Sequence, residues 1–240
     1  MQRYTLLFAL ALTAGLCQAV QAMEFENIEN VPAEEGGSAG AGYPGLVALP
    51  EGYTGSGDEA WPLILFLHGS GEQGREIERV RVHGPWEYVA EAELPVIIAA
   101  PQTPWGGWKA EHLGAFLDTV RARYRVDAKR IYLTGLSMGG KGAYRLAAAQ
   151  PETFAAVVVI CGRSEPEEQA KALAGLPVWI FHGDRDSIVP IEESEQQVAA
   201  IRAAGGEPRY TVYEGVNHIS WTQTYNDPEL YAWLLKQRRE

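Results

Sequence analysis

The sequence predicts an α/β domain, in which helices cover both faces of a mostly parallel central sheet. Short runs of β-branched and other apolar residues alternate along the chain with stretches whose apolar residues recur at helical spacing. This alternation is typical of strand–helix–strand units, whose crossover connections make neighbouring strands parallel. The run LILFL at 63–67 is apolar throughout, as expected for a strand that is buried on both faces of a sheet.

The other strands and helices are predicted from similar apolar runs and from the residues that end them. Predicted strands lie at 46–49, 63–67, 96–100, 131–134, 156–160, 178–181 and 209–213. Predicted helices lie at 111–124, 138–150, 192–204 and 230–237. The second helix ends before Pro151, since proline cannot continue a helix, and the third ends at Gly205. Ligands of such sheets bind beyond the carboxyl ends of the strands, so the residues after each strand are the candidates for a functional site.

Length and composition indicate one ordinary folded domain and exclude several classes of partner. The chain has 240 residues, with 46% hydrophobic and 21% charged residues, as is usual for globular domains. Lys and Arg total 20 against 31 Asp and Glu, a formal net charge of −11. An acidic surface repels phosphate backbones and anionic lipids, so no nucleic-acid partner is expected. The sequence has no metal-ligand spacing and no nucleotide-binding glycine motif, so we expect neither a metal nor a cofactor.

Residues 1–22 have the pattern of a secretory signal peptide. Arg3 precedes the apolar run LLFALALTAGL at 6–16, and small residues then lead to Ala22. The run is shorter than the roughly 20 apolar residues that a membrane-spanning helix needs. We predict cleavage after Ala22, with cleavage after Ala19 as the alternative. The mature protein is therefore expected to be secreted or periplasmic, without stable insertion into a membrane.

The rest of the chain divides into an N-terminal segment, 23–45, and a folded domain, 46–240. The segment contains EEGGSAGAG at 34–42, a composition that predicts flexibility. Once the signal peptide is removed, Cys161 is the single remaining cysteine, so no internal disulfide is expected. Cys161 directly follows the apolar run at 156–160, which predicts a buried thiol rather than a nucleophile.

The motif G-x-S-x-G occurs at 135–139, between the strand at 131–134 and the helix that begins at Met138. In this context a serine sits on a sharp strained turn, and glycines leave room for the backbones that crowd the turn. The helix N-terminus below it supplies amide donors for a developing oxyanion. We therefore predict that Ser137 is a nucleophile; the alternative is a serine that caps the helix after a glycine turn.

A second glycine-rich turn, HGSG at 68–71, follows the strand at 63–67. A turn at this point in the chain can direct a backbone amide toward the nucleophile. The predicted oxyanion-binding pair is the amide of Ser70 and the amide of Met138. His68 is expected to support the turn, and the Ser70 side chain is expected to matter less than its amide.

The acid and the base are expected after the last two strands. Asp184 and Asp186 both follow the strand at 178–181, and a buried carboxylate is needed to hold the tautomer of a catalytic imidazole. We choose Asp186, because Ile188 and the residues after it then lead into the next helix; Asp184 is expected to close the turn. His218 is the only histidine after the last strand, and the order Ser137, Asp186, His218 is one that serine nucleophiles of this motif require.

Taken together, these segments resemble the α/β-hydrolase superfamily. Within it, the chain is most similar to the phospholipase/carboxylesterase-like group, also labelled predicted peptidases, which is related to prolyl-oligopeptidase-like and feruloyl-esterase-type domains. The resemblance runs from residue 49 to the end and is carried by the segments WPLILFLHGSGE at 61–72, AAPQ at 99–102, RIYLTGLSMGG at 130–140, NHISW at 217–221 and TYNDP at 224–228. Lys141 departs from the group, because relatives often have an apolar or aromatic residue there.

Three tryptophans are candidates for binding the substrate. Trp105 and Trp108 follow the strand at 96–100, and Trp221 lies three residues after His218. On loops at the active edge of the sheet, their flat apolar faces suit an aromatic acyl group or a sugar ring. The alternative is that they pack beneath their own loops, since Trp is highly buried on average. Trp86 is expected in the loop before the same strand.

The resemblance implies a cofactor-independent serine hydrolase that cleaves a small-molecule carboxylic ester through an acyl-enzyme intermediate. The alternatives are a serine peptidase of the prolyl-oligopeptidase-like type, which would use the same triad, and a non-catalytic binding protein on a hydrolase scaffold. The N-terminal part is short compared with that of larger relatives. We therefore expect an esterase rather than a gated oligopeptidase.

Overall fold

The computed structural model describes residues 23–29 and 42–240. The predicted signal peptide, 1–22, lies outside the described residues. Within them, eight strands form one sheet: β1 Glu24–Ile28, β2 Gly45–Leu49, β3 Trp61–Leu67, β4 Ile97–Pro101, β5 Val126–Leu136, β6 Ala156–Ile160, β7 Val178–Gly183 and β8 Arg209–Tyr213. The α-helices are α1 Trp86–Glu91, α2 Ala110–Arg123, α3 Met138–Ala149, α4 Pro166–Leu173, α5 Glu192–Ala203, α6 Trp221–Tyr225 and α7 Pro228–Leu234. Two short 3-10 helices, Ser70–Glu72 and Ile77–Arg81, lie between β3 and α1.

The sheet has the strand order β1-β2-β4-β3-β5-β6-β7-β8. The pairs β1–β2 and β2–β4 are antiparallel, and the other neighbouring pairs are parallel. The predicted fold class, a mostly parallel sheet within an α/β domain, is therefore confirmed. Because β3, β5, β6, β7 and β8 run in one direction, their carboxyl ends meet at one edge, which brings together the loops that carry the predicted site.

Two hydrophobic cores cover the two faces of the sheet. Alternate residues of a strand point to opposite faces, so Leu63, Leu65 and Leu67 of β3 join one core, while Ile64 and Phe66 join the other. The first core includes the apolar faces of α2, α3, α4 and α5. The second includes buried residues of α1, α6 and α7. Strand β3 is thus covered on both sides, which explains why its sequence is apolar throughout.

Strand β1 is the main element that the sequence does not predict. It lies at the edge of the sheet, within the segment 23–45, and Ile28 is its one fully buried residue. Its sequence, EFENI, is largely polar, because an edge strand in contact with solvent has little apolar surface to bury. The strand is held by its pairing with β2 and by the Tyr124 hydroxyl, which donates to Glu26 Oε2 at 2.7 Å.

Three short helices, α1, α4 and α6, are also absent from the sequence prediction. Trp86, expected in a loop, is the first residue of α1 and is buried in the second core. Its indole Nε1 donates to the carbonyl oxygens of Val80 and His83, each at 3.0 Å. In the part of the chain that the structure describes, no helix is long and apolar enough to cross a membrane.

Candidate active site

Ser137 occupies a strained turn between β5 and α3. Its φ of 53° and ψ of −115° lie in a region that residues with a side chain rarely adopt. Gly135 and Gly139 permit this turn, because a Cβ on Gly135 would overlap the carbonyl group of Gly139, and a Cβ on Gly139 would overlap the carbonyl oxygen of Leu67. The turn therefore packs against the end of β3, which brings the beginning of α3 close to the turn that contains Ser70.

Replacing Gly139 with alanine should destabilise the fold. The added methyl group would press on the carbonyl groups of Leu67 and His68 at the end of a central strand, where the backbone has little freedom to move. We expect Gly139→Ala to lower the free energy of unfolding by about 1–3 kcal/mol, as overpacking of a dense core does. The measurement is urea unfolding followed by tryptophan fluorescence.

Gly175→Ala is the matched control for this substitution. Gly175 is exposed, and among the described residues no atom lies within 4 Å of a Cβ at this position. Its unfolding midpoint should stay close to that of the unmodified protein. Equal midpoints for the two variants would contradict the close contact between the turn at Ser137 and β3.

The structure brings Ser137, His218 and Asp186 into one chain of hydrogen bonds. His218 Nε2 lies 2.9 Å from Ser137 Oγ, and His218 Nδ1 lies 2.6 Å from Asp186 Oδ2. Ser137 follows β5, Asp186 follows β7 and His218 follows β8, so each side chain extends from a loop at the carboxyl edge of the sheet. An ionised carboxylate can only accept, so it holds the imidazole proton on Nδ1 and leaves the Nε2 lone pair facing the serine hydroxyl.

Asp186 is buried and nevertheless stabilised in its ionised form. Burial by itself would raise its pKa, but the hydrogen bond with His218 and those from two backbone amides outweigh burial and hold the pKa below its usual value. Both amides, of Ile188 and Val189, donate to Oδ1 at 2.8 and 2.9 Å. Oδ2 is therefore left to face His218. His182 lies beside it, with Nε2 at 3.2 Å from Oδ2.

Two neighbouring groups support the loop that contains Asp186, and Asp184 closes its turn as the sequence predicts. Asp184, the other carboxylate of this loop, accepts from the amide of Gly215 at 2.7 Å and so joins the loop after β7 to the turn after β8. His182 is fully buried, with Nδ1 at 2.7 Å from Ser194 Oγ and Nε2 at 2.9 Å from the carbonyl oxygen of Val189. It therefore connects α5 to the loop of Asp186.

The predicted oxyanion-binding amides begin two adjacent helices. Met138 is the first residue of α3, and Ser70 is the first residue of the 3-10 helix that follows β3. Neither amide takes part in the backbone hydrogen bonds found between the described residues, as is usual for the first N–H groups of a helix. Both amides are therefore left without a backbone acceptor among the described residues, and their role as an oxyanion hole stays a prediction.

His68 holds the turn that contains Ser70. It is fully buried, and burial lowers its pKa to about 4, so the ring is neutral at physiological pH. Its Nδ1 donates to the carbonyl oxygen of Gly69 at 2.6 Å, and its Nε2 accepts from the amide of Thr103 at 3.3 Å. The ring therefore joins the turn that contains Ser70 to the loop after β4, as the sequence predicts for a supporting residue.

Gln102 also anchors this turn, a role that the motif analysis does not predict. Its Nε2 donates to the carbonyl oxygens of Glu72 and Glu76 at 2.9 and 3.0 Å. Arg79 adds a third contact, from Nη2 to the carbonyl oxygen of Gly71 at 2.7 Å. The presence of Gln102 in the segment AAPQ was the one signal that could have identified it.

Cys161 lies beside His218. It is buried, as predicted, and its thiol donates to the carbonyl oxygen of His218 at 3.4 Å. Burial raises the thiol pKa to about 12, so the group stays protonated. Among the described residues, Cys161, Asp186 and His218 are the one group of side chains close enough to share a metal ion. Asp186 and His218 already bind each other, His218 also binds Ser137, and a thiolate is disfavoured here, so this group fits a metal poorly.

The three candidate tryptophans have different environments. Trp105 is 76% exposed on the loop after β4 and is free to contact a ligand. Trp108 is only 5% exposed, its Nε1 donates to the carbonyl oxygen of His68 at 3.2 Å, and its ring packs against the His68 ring at 4.7 Å. Its ring thus packs against the turn that contains Ser70, which favours the alternative of packing beneath its own loop, and its role toward a substrate stays a prediction.

Trp221 is also largely buried, at 8% exposure, but it contacts the site directly. Its ring stands edge-on to the His218 ring at 5.3 Å, and on its other side it meets the His83 ring at 5.4 Å. Its buried Nε1 finds no hydrogen-bond partner among the described residues. Trp221 thus limits the space around the imidazole, and its role toward a substrate stays a prediction.

A cleft of about 230 Å³ opens beside the serine. Its lining consists of Ser137 from the turn after β5, Met138 and Lys141 from the first turn of α3, Arg163 from the loop after β6, and Ile188 and Val189 from the loop after β7. Sequence reasoning noted Lys141 as a departure from related chains but did not identify Arg163 or Ile188. These residues are distant in sequence, and only the packing of the three loops places them around one space.

Comparison with known proteins shows which chains this one is similar to. The sequence model of the dienelactone hydrolase family matches residues 108–231. The predicted esterase NocK of Nocardia uniformis subsp. tsuyamanensis is 32% identical over 181 residues, which are 69% of this chain and 49% of NocK. The bifunctional acetylxylan esterase/xylanase XynS20E of Neocallimastix patriciarum is 28% identical over 141 residues, 56% of this chain and 20% of that protein. This chain thus spans about half the length of NocK and a fifth of XynS20E.

A solved structure gives a similar result for the fold. The crystal structure of a thermostable esterase superposes with a TM-score of 0.77 at 29% sequence identity. The match covers 92% of this chain and 64% of that one.

Proposed function

Since the chain belongs to the dienelactone hydrolase family, within the α/β-hydrolase superfamily, we propose that it is a secreted carboxylesterase that acts through an acyl-enzyme on Ser137. The observation that carries this proposal is the continuous hydrogen-bond chain from Ser137 Oγ through His218 to Asp186. The esterases among the related proteins support the choice of ester substrates. Secretion rests on the signal-peptide pattern of residues 1–22.

Acylation follows from the geometry of the three side chains. Ser137 Oγ attacks the ester carbonyl carbon as His218 Nε2 takes the hydroxyl proton. The carbonyl oxygen becomes an oxyanion, which the amides of Met138 and Ser70 stabilise by hydrogen bonds. The imidazole is now positively charged, and the ionised carboxylate of Asp186 stabilises it in place.

The same groups complete acylation and then carry out deacylation. His218 gives its proton to the leaving alkoxide, the C–O bond breaks, and the acyl group stays on Ser137. Water then enters, His218 takes one of its protons, and the resulting hydroxide attacks the acyl carbonyl. A second tetrahedral species collapses, Ser137 Oγ is reprotonated by His218, and the carboxylic acid leaves.

Two other functions use the same scaffold. A serine peptidase would employ the same triad on an amide, and a non-catalytic binding protein would keep the fold without the reaction. The depressed pKa of Asp186, together with the strained backbone of Ser137, favours a working site, because a binding scaffold has no need for either feature.

Covalent labelling separates a working esterase from a binding scaffold. A fluorophosphonate reacts only with a serine that a neighbouring base activates, so we expect one phosphonyl adduct per chain in intact-mass spectra. Ser137→Ala should abolish the adduct, whereas Ser56→Ala, at an exposed serine outside the site, should retain it. A folded protein that hydrolyses no ester and takes up no label would refute the proposed function.

A further inference from the structure

A group of basic side chains lies at the amino end of β5, at the edge of the sheet opposite Ser137. Residues 123–130, RYRVDAKR, lead from the end of α2 into β5, and residues 236–239, KQRR, follow α7. The two segments are in contact, because the amide of Arg239 donates to the carbonyl oxygen of Lys129 at 3.0 Å. We call them together the basic patch. They contain seven of the chain's 20 Lys and Arg but only one of its 31 Asp and Glu, so the patch is cationic in an otherwise acidic protein.

The one carboxylate of the basic patch does not hide its positive charge from solvent. Asp127 Oδ2 accepts from Arg130 Nε at 2.8 Å and from Arg238 Nη1 at 2.9 Å, while Oδ1 accepts from the Lys129 amide at 2.9 Å. The Asp127 side chain is 13% exposed, whereas that of Arg238 is 54% exposed. Solvent therefore meets guanidinium groups rather than the carboxylate that holds them side by side.

The other cations of the basic patch are not balanced within the protein. Five of them have no ion-pair partner among the described residues: Arg123, Arg125, Lys129, Lys236 and Arg239. Arg125 Nε donates to the carbonyl oxygen of Glu59 at 2.7 Å, but a neutral acceptor leaves the charge uncompensated. The carboxylates of Glu59 and Glu240, which adjoin the patch, are exposed and form no ion pair with it. Like charges held this close repel one another, and an anion that lies across the patch relieves that repulsion.

Solvation explains a scattered surface cation, but it does not explain this concentration. With 31 carboxylates, the chain has ample acid to pair these cations internally, yet it gathers them in two short segments that touch. The position is also distinct from that of the triad. From Arg130 to Leu136, β5 spans roughly 20 Å of extended chain before it reaches Ser137. A partner bound to the basic patch therefore leaves the triad open.

The surroundings of the basic patch favour a flexible polyanion over a membrane or a nucleic acid. Attachment to a membrane surface needs buried apolar area as well as charge, and no exposed large hydrophobic residue of the described chain lies in the patch. A flat anionic surface would also repel the acidic remainder of the protein. The one aromatic residue of the patch, Tyr124, is buried, so it offers no ring on which a nucleic-acid base could stack.

We propose that the basic patch binds an acidic polysaccharide, a linear polymer whose sugars carry carboxylates. Guanidinium groups suit this partner, because their N–H donors match both oxygens of a carboxylate. A single polymer strand contacts the patch while the acidic rest of the protein stays in solvent. The attached protein then presents its triad on the side away from the polymer. This binding does not depend on ester hydrolysis and goes beyond the proposed function.

Binding to polygalacturonate, which has one carboxylate on each sugar, tests the proposal. The polymer is immobilised, with immobilised dextran as the neutral reference, and the affinity of the purified protein is measured by biolayer interferometry at low ionic strength. We expect binding to polygalacturonate and none to dextran. Added salt should abolish the binding, because salt screens exposed charges.

A matched pair of double variants locates the binding surface. Arg123→Gln with Lys129→Gln should lower the affinity for polygalacturonate about fivefold, since each exposed charge pair contributes modestly. Lys171→Gln with Arg202→Gln makes the same change in net charge at exposed positions outside the patch and should leave the affinity unchanged. Arg123→Lys with Lys129→Arg keeps both charges and should retain the binding. Urea unfolding midpoints of all three variants should match that of the unmodified protein.

The outcomes separate the surface from its partner and from the proposed function. Absence of binding to polygalacturonate, or equal weakening by the two Gln double variants, would refute the basic patch as its binding surface. Tighter binding to single-stranded DNA or to phosphatidylglycerol vesicles than to polygalacturonate would refute the polysaccharide as the partner. Ester hydrolysis should be the same in all variants, so a protein that binds the polymer but cleaves no ester would contradict the proposed function alone.

Discussion

Asp186→Asn should lower kcat for a short-chain ester by about four orders of magnitude, with little change in the fold. That magnitude is the one known for the same substitution in a serine protease triad. The expected cause is a wrong imidazole tautomer rather than a lost contact. In the variant, the amides of Ile188 and Val189 still need an acceptor, so the side-chain oxygen must stay where Oδ1 is now.

The amide nitrogen of the new side chain must then face His218. It is a donor, so it pairs with an unprotonated Nδ1 and moves the imidazole proton to Nε2. Nε2 would present an N–H to Ser137 Oγ, at the atom where a lone pair is needed to accept the hydroxyl proton. The base is thereby disabled although each residue remains in position.

Asp184→Asn is the matched control, because it makes the same chemical change two residues away. Asn at 184 can still accept from the amide of Gly215 through its side-chain oxygen, so kcat should fall by less than about tenfold. Steady-state kinetics on para-nitrophenyl butyrate measures both variants, with Ser137→Ala as the blank. A larger loss for Asp184→Asn than for Asp186→Asn would show that the acid was assigned to the wrong carboxylate.

The second large effect concerns the bond that is cleaved. We expect kcat/KM for para-nitrophenyl butyrate to exceed that for butyryl para-nitroanilide by at least roughly a thousandfold, or about 4 kcal/mol in the barrier. The two substrates share the acyl group and differ in the leaving atom. An amide nitrogen leaves poorly unless it is protonated during departure, which requires a leaving group held firmly against His218.

The described site offers little to hold a peptide in that way. The cleft beside Ser137 has a volume of about 230 Å³, below the roughly 300 Å³ at which pockets for drug-sized ligands begin. Near His218 the space is limited by the edge of Trp221, while Trp105 projects into solvent. These features suit a compact acyl group. Comparable kcat/KM values for the two substrates would instead favour the peptidase.

The fold class and the candidate triad could be predicted from the sequence because each depends on local patterns. The apolar runs at 63–67 and 156–160 are strands in the structure, since continuous burial on both faces imposes continuous apolar sequence. The glycines of G-x-S-x-G are required by the geometry of the turn, since Gly139 lies too close to the end of β3 to carry a side chain. The structure brings Ser137, Asp186 and His218 together as the chain order predicts, and their catalytic roles remain predictions until tested.

Other features depended on contacts between distant residues. Strand β1 has too little apolar sequence to be recognised, because its partner β2, rather than its own burial, holds it in the sheet. The sequence around Trp108 is compatible with a ring that faces a ligand and with one that packs against His68, and only the tertiary structure shows the contact between the two rings.

By itself, the sequence determined seven of the eight strands of the described sheet, the four predicted helices and the chemistry of the groups at the strand ends, because backbone preference and hydrophobic periodicity act between near neighbours. Only the tertiary structure decided which groups share a space. It placed Lys141 and Arg163 in one cleft with Ser137, and it packed Trp108 against His68. Those positions arise from the packing of loops that are far apart in the chain, and no local pattern specifies the distances between them.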